Sequence, residues 1–353
     1  AEMSRRNAIM ASLFCMGNPL LDISAPVPPE TLTKYGVEAG NAILAEEKHL
    51  PVFEELAALP EVEYIAGGAT QNSARVCQWA LQRPGAVTYV GCIGRDNFGE
   101  KLETAAKKDG INVLYQHDET TPTGTCAVLV VGKERSLIAN LGASEKATQA
   151  HAESPAVTAA LDAAKVIYIS SFFLTHSADT ITAVCKKAAE ANKIMTMNLS
   201  APFLLQVPPF AAKVKEFMPY LDFVFGNESE AAALAEMYGW DAKASLGDIA
   251  KQCAALPKIN GKRPRHVVIT NGDKPTVIAS STGEVFQVDV PPVPSAEVVD
   301  TNGAGDAMVG GFLSQLLQDR ELKKCAEIGH WAAGLIIRRS GCCFPDKPDR
   351  ADL

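Results

Sequence analysis

The sequence predicts an α/β fold: a mainly parallel sheet carrying a small β-rich element. Two observations lead there. Short apolar or β-branched runs recur along the 353 residues, and most are followed by helix-like stretches. Two segments, residues 25–65 and 116–140, break that alternation. Alternating strand and helix patterns mean βαβ units, because parallel neighbours need a long crossover that a helix supplies.

Taken in order, residues 12–17 read as the first strand. Ser4-Arg5-Arg6 followed by apolar residues also has the outline of a short secretory or twin-arginine signal. The run leads straight into Gly17-Asn18-Pro19-Leu20-Leu21-Asp22 without a small-residue cleavage site, which favours the strand. Residues 87–91 form a second buried strand. Residues 125–131 and 136–140 flank Gly132-Lys133-Glu134-Arg135, the pattern of a β-hairpin turn. The Ala-rich stretch 145–165 reads as a helix with a loose connection. Residues 166–170, 194–198 and 222–226 are further strands, with a helical pattern at 178–192 between the first two. Residues 266–270 and 276–280 continue the sheet, and 302–317 and 321–338 read as closing helices.

Composition narrows the function classes. Thirty-three Lys and Arg against 41 Asp and Glu leave a net charge of −8, which disfavours a dedicated nucleic-acid or anionic-membrane binder. With 47% apolar and 21% charged residues, the chain is rich in core formers. Nine scattered cysteines without a Cys-x-x-Cys pair read as reduced, cytosolic thiols. The six histidines are isolated, so no structural zinc site is expected. No run supplies the ~18 apolar residues that a membrane span needs.

The strongest chemical signal is Asp300-Thr301-Asn302-Gly303-Ala304-Gly305-Asp306 before an apolar helix. Glycines at 303 and 305 let the backbone turn and expose consecutive N–H groups, and a helix start there forms an anion hole. Asp306, in the first turn, could accept the proton of an attacking hydroxyl. The alternative is a Gly-rich turn with an Asp helix cap. No Gly-x-x-x-x-Gly-Lys-Ser/Thr occurs, and Met308 stands where a dinucleotide fingerprint needs its third glycine. A second site is Gly67-Gly68-Ala69-Thr70-Gln71-Asn72, either a ligand loop or a turn entering a helix. Asn227 and Glu230 follow a strand and could organise Mg²⁺ through water. Asn97 and Glu100 share their spacing, so only position separates the two pairs. Thr270-Asn271-Gly272 follows another strand, where a nucleotide tail could lie. Asn18 and Asp22 could grip vicinal hydroxyls or cap a loop. Phe172, Phe173 and Phe203 could stack on a base or fill core.

With these sites in place the chain resembles the ribokinase-like (PfkB) carbohydrate kinases, over about residues 14–348. Gly67-Gly68 with Asn72 and residues 300–306 carry the family-level likeness. Six further runs resemble the adenosine-phosphorylating branch. They are Gly17-Asn18-Pro19-Leu20-Leu21-Asp22-Ile23-Ser24, Thr70-Gln71-Asn72-Ser73, Pro122-Thr123-Gly124-Thr125-Cys126, Ser136-Leu137-Ile138-Ala139-Asn140-Leu141, Asn198-Leu199-Ser200-Ala201-Pro202-Phe203 and Arg338-Arg339-Ser340-Gly341-Cys342.

The resemblance implies a large domain (1–22, 66–115 and 141–353) with helices on both faces of its sheet. A small lid (23–65 and 116–140) would close over the active site. It implies transfer of the ATP γ-phosphate to the 5′-hydroxyl of adenosine, giving AMP and ADP in purine salvage, with Mg²⁺. Asp22 would hold the ribose, helped by Asn18, Gly67, Gly68, Ala69 and Asn72. Leu44, Cys126, Leu137, Ala139, Phe173, Phe203 and Asn302 would line the adenosine site. Arg135 would neutralise the transferring phosphate, Gly303, Ala304 and Gly305 would form the anion hole, and Asp306 would be the base. Asn227 and Glu230 would organise Mg–ATP, with Thr270, Asn271, Gly272, Asn302 and His330 along the ATP. The family pattern carries Gln at Ala42, Ser at Ala69 and Phe at Met308, which bears on substrate preference and packing. A cytoplasmic monomer with a nuclear pool is implied. The alternatives are a relative acting on another nucleoside or a sugar, and a nucleoside-binding protein without catalysis.

Overall fold

The computed structural model of the protein describes residues 12–132, 134–350 and 352–353. Ser4-Arg5-Arg6 and Lys133 lie outside the described residues, as does the side chain of Ala42.

The strands run in chain order as β1 (Leu13–Met16), β2 (Leu20–Pro26), β3 (Ala42–Leu44), β4 (Glu63–Gly67), β5 (Val87–Gly94), β6 (Asn112–Asp118), β7 (Thr125–Val131) and β8 (Glu134–Asn140). They continue as β9 (Val166–Ser170), β10 (Ile194–Asn198), β11 (Phe223–Asn227), β12 (His266–Asn271), β13 (Lys274–Ser280) and β14 (Val285–Val288). Nine build one sheet, in the order β14-β13-β12-β11-β10-β9-β1-β5-β6; the five others build a second, β3-β8-β7-β2-β4. In the large sheet every pairing from β6 to β12 is parallel, and only β12–β13 and β13–β14 are antiparallel.

Both faces of the large sheet are covered, as a parallel sheet requires. Along β1 the alternation sorts Phe14 and Met16 into one core cluster and Leu13 and Cys15 into the other. The central strands β1, β5 and β9 therefore read as continuous buried runs, which is why the sequence reveals them. One face of the small sheet carries an apolar core of its own. Ile23, Ala25, Ala127, Leu129 and Ile138 pack under the helices Glu30–Tyr35 and Pro51–Ala57. The alternating residues on its other face face away from that core. Among the described residues no helix is long and apolar enough to cross a membrane.

The structure moves three expectations. β8 begins at Glu134, so Glu134 and Arg135 are strand residues rather than turn residues. The Ala-rich stretch is broken: Thr148 caps Gln149–Ala152, and Pro155, which cannot donate an N–H, opens a new helix to Ala163. The small sheet starts at Leu20 and reaches Gly67, while residues 116–118 pair with β5 in the large sheet.

Candidate active site

The helix Ala304–Leu316 begins where the chain turns through Gly303, whose φ of 78° is left-handed and strained for any side chain. Ala304 N–H donates to the Thr301 carbonyl at 3.3 Å. The amides of Gly305 and Asp306 lack intrahelical acceptors, as first-turn amides do. They give the loop its positive end, and Asp306 stands in the first turn beside them.

Asn72 approaches from the helix Ala69–Leu81 and donates through Nδ2 to Asp306 Oδ2 at 3.0 Å. This meeting depends on close helix packing. A Cβ at Gly310 would lie 2.6 Å from the Ser73 carbonyl, so glycine lets the two helices approach. Beneath them, buried Arg75 pairs with Asp109 at 2.6 Å and donates to the carbonyls of Ala66 and Cys342 at 2.6 and 3.1 Å. It thereby ties the Gly67 loop to the C-terminal loop.

A cavity of about 380 Å³ opens over this centre. Ala69, Asn227, Glu230, Thr270, Asn302, Gly303, Gly305 and Asp306 line it, so the sequence-predicted residues from four distant segments meet there. Asn227 and Glu230 also cap the helix Glu228–Tyr238 reciprocally: Glu230 N–H donates to Asn227 Oδ1 at 2.9 Å, and Asn227 N–H to Glu230 Oε2 at 3.0 Å. Glu230 Oε1 remains outside this cap.

Asp22 lies beside the cavity rather than in its wall. A Cβ at Gly67 would fall on the Asp22 carboxylate, and one at Gly68 on the Asn18 carbonyl, so the glycine pair is packed directly against both residues. On the face of the small sheet turned away from its own apolar core, register places Asp22 opposite Cys126, Cys126 opposite Ala139, and Ala139 opposite Leu44. Leu137 shares that face two residues before Ala139. Four strands thus set one row of expected nucleoside contacts. Leu44 is 56% exposed and Phe203 37%, which leaves apolar surface at the cleft margin.

Burial pushes the carboxyls of Asp306, Asp22 and Glu230 each up to about 7. The Asn72 N–H draws Asp306 back down in part. Arg75 does the same for Asp22, while Asp306 and Asp300 push it up. Three carboxyls held in reluctant ionisation favour a cation or a proton arriving with the ligand.

Five expected contacts are placed elsewhere. Phe173 is 1% exposed and packs edge-on against His176 in the core; its neighbour Phe172 lines the cavity instead. A 3₁₀ turn at the end of β9 faces alternate aromatics in opposite directions. His330 is buried, with Nε2 2.8 Å from Thr276 Oγ1, and does not line the cavity. Arg135 points to Asp300 rather than into the cavity: Nε lies 2.9 Å from Asp300 Oδ2, and its other nitrogens bond Ser24 and Ser340. Asn271 ends β12 and Gly272 begins the turn after it, both outside the cavity wall.

Sequence reasoning missed the work of Asp300 and Ser200. Asp300 accepts from Asn302 N–H at 2.9 Å and Gly341 N–H at 3.0 Å, so it clamps the loop entering the anion hole. Ser200 lines the cavity with φ 71°, unusual for a residue bearing a side chain. Its signals are its place after β10 and its position inside the run Asn198-Leu199-Ser200-Ala201-Pro202-Phe203.

Comparison with known proteins agrees with this architecture. Residues 30–350 match the pfkB family carbohydrate kinase pattern, and the chain belongs to that family. It is 50% identical over 337 residues to adenosine kinase 2 of Arabidopsis thaliana, covering 96% of each chain. It is 42% identical to the adenosine kinase of Dictyostelium discoideum, covering 94% of this chain and 96% of the relative. The crystal structure of Anopheles gambiae adenosine kinase in complex with P1,P4-di(adenosine-5) tetraphosphate superposes with a TM-score of 0.89 at 47% identity, over 97% of this chain and 99% of that one.

Proposed function

We propose that this protein is an ATP-dependent adenosine kinase, moving the γ-phosphoryl group to the 5′-hydroxyl and releasing AMP and ADP. The observation that carries the reading is Asp306, hydrogen-bonded to Asn72 beside the unpaired amides at a helix start.

In this reading Asp22 accepts hydrogen bonds from the ribose hydroxyls, with Asn18, Gly67, Gly68, Ala69 and Asn72 shaping its surroundings. Leu44, Cys126, Leu137 and Ala139 cover one side of the nucleoside, and Phe172 and Phe203 flank the base, their rings 6.3 Å apart. Asn302 completes this site. The 5′-hydroxyl then lies at Asp306, which takes its proton as the oxygen attacks phosphorus in line. A carboxyl poised at about 7 is matched to that work at neutral pH. The amides at Gly303, Ala304 and Gly305 would hold the charge that develops on the transferring group, Ala304 N–H exchanging its long bond to the Thr301 carbonyl for it. Asn227, Thr270, Asn271 and Gly272 hold the rest of ATP.

The donor set at Asn227 and Glu230, one carboxylate and one amide, fits Mg²⁺ that keeps most of its waters. When bound with ATP, Mg²⁺ would neutralise phosphate charge. Arg135 serves by pairing Asp300 and fixing the loop. Closure of the small sheet would exclude water from the reaction. We assign a monomer in the cytoplasm with a nuclear pool, in purine salvage. The nine unpaired thiols support a reducing compartment, and the net negative charge supports a small-molecule rather than a nucleic-acid partner.

A coupled ATP assay with adenosine, inosine and ribose, with and without Mg²⁺, tests the reading. Adenosine should be turned over best and only with the metal. Preference for inosine or ribose would move the protein to another acceptor, and nucleoside binding without turnover would make it a binding protein.

A further inference from the structure

Behind Asn18 stands a residue that the chemistry so far leaves without a task. His176 lies in the helix Leu174–Glu190, next to Ser177, whose φ of −125° and ψ of 32° break the helix. Its Nε2 is 2.9 Å from Asn18 Oδ1, and its Nδ1 is 2.9 Å from Ser177 Oγ. An amide oxygen has no hydrogen to give, so Nε2 carries the proton and donates to Asn18. Nδ1 then accepts from the Ser177 hydroxyl. Phe173 packs edge-on against the imidazole with centroids 5.2 Å apart, fixing the ring plane. Burial lowers the His176 pKa to about 4, which keeps this neutral tautomer at working pH.

The bond has a directional consequence. With Oδ1 held by His176, a flip of the Asn18 amide would require the imidazole to change tautomer and the Ser177 hydroxyl to turn from donor to acceptor. Among the described residues Asn18 Nδ2 makes no bond, so both its hydrogens remain for a ligand. On the far side of the ring, His176 and Ser177 line a separate cavity of about 420 Å³ with Leu174, Thr180 and Lys213.

We propose that His176 is a positioning residue for the acceptor substrate: it locks the Asn18 carboxamide with its NH₂ presented to a ribose hydroxyl oxygen. This rests on the reading of Asn18 as an acceptor-binding residue. The helix break at Ser177 and the burial of Phe173 are the supports that hold the imidazole in place.

Steady-state kinetics of H176F, H176Q and the H176F/N18A pair test it. Phenylalanine keeps the ring packing on Phe173 but has no donor. Glutamine restores an N–H. H176F should raise KM for the acceptor roughly three- to tenfold, the worth of one neutral hydrogen bond, with kcat and KM for ATP held. H176Q should recover most of the loss, and N18A should abolish the effect of H176F. An unchanged acceptor KM in H176F would overturn the proposal, as would equal impairment in H176Q. So would a rise in both KM values together with a falling melting temperature. Should wild type prefer ribose or inosine to adenosine, the adenosine reading falls while the same split, read on that acceptor, still decides the role of His176.

Discussion

Asp306 has to carry a charge in a place that resists charge. Its carboxyl and that of Asp22 both titrate near 7 because burial outweighs their polar partners. A base works only when ionised, so kcat/KM should fall as pH drops below about 7. The limb should be steeper than one ionisation, since Asp22 protonates over the same range. Asn72 lowers the Asp306 pKa, so N72A should move the Asp306 component to higher pH. Profiles from pH 5 to 9 would show this, and a limb moving to lower pH would contradict it. Not all of this was legible in the sequence. Asp306 and its glycines sit within one heptapeptide and could be read directly. The Asn72 partnership spans 234 positions and depends on Gly310 permitting helix contact. Arg75, buried in a helix of small and polar residues, carried no signal at all.

At the scale of elements, a buried ion pair ties the small sheet to the loop before the anion hole. Arg135 on β8 and Asp300 before the anion hole are 7% and 2% exposed, and Asp300 also holds the amides of Asn302 and Gly341. Removing the cation leaves a buried carboxylate unpaired. R135M should therefore cost about 3–5 kcal/mol in denaturant unfolding. D300N in the same chain should return part of that, because the amide oxygen still accepts an N–H without the charge. A loss under about 1 kcal/mol, the range of an exposed pair, would contradict this. The element boundaries show what sequence patterns can carry. The large-sheet strands are apolar on both faces, so β9 and β10 fall where the runs place them. β2 alternates through Asp22 and Ser24 and ends at Pro26, and β3 is only three residues long. Neither has a pattern that stands alone. β2 exists because it pairs with β7, about a hundred residues later.

For the whole molecule, a net charge of −8 and two anionic nucleotides are compatible because the site does not depend on bulk charge. Helix-start amides supply local positive potential where the ligand needs it, and a metal held at Glu230 would add to it. The two sheets bring together residues from β2, β7 and β8 on one side and the Asp306 helix on the other, which no local window of sequence contains. The measurement that tests this most directly follows AMP and ADP formation from ATP and adenosine in wild type and D306N, with adenosine affinity determined in parallel. Wild type should form the two products in equal amounts. D306N should lose about 10²- to 10⁴-fold in kcat, the range for removing a general base, and keep its adenosine affinity. A D306N protein that still makes AMP at the wild-type rate would contradict the account.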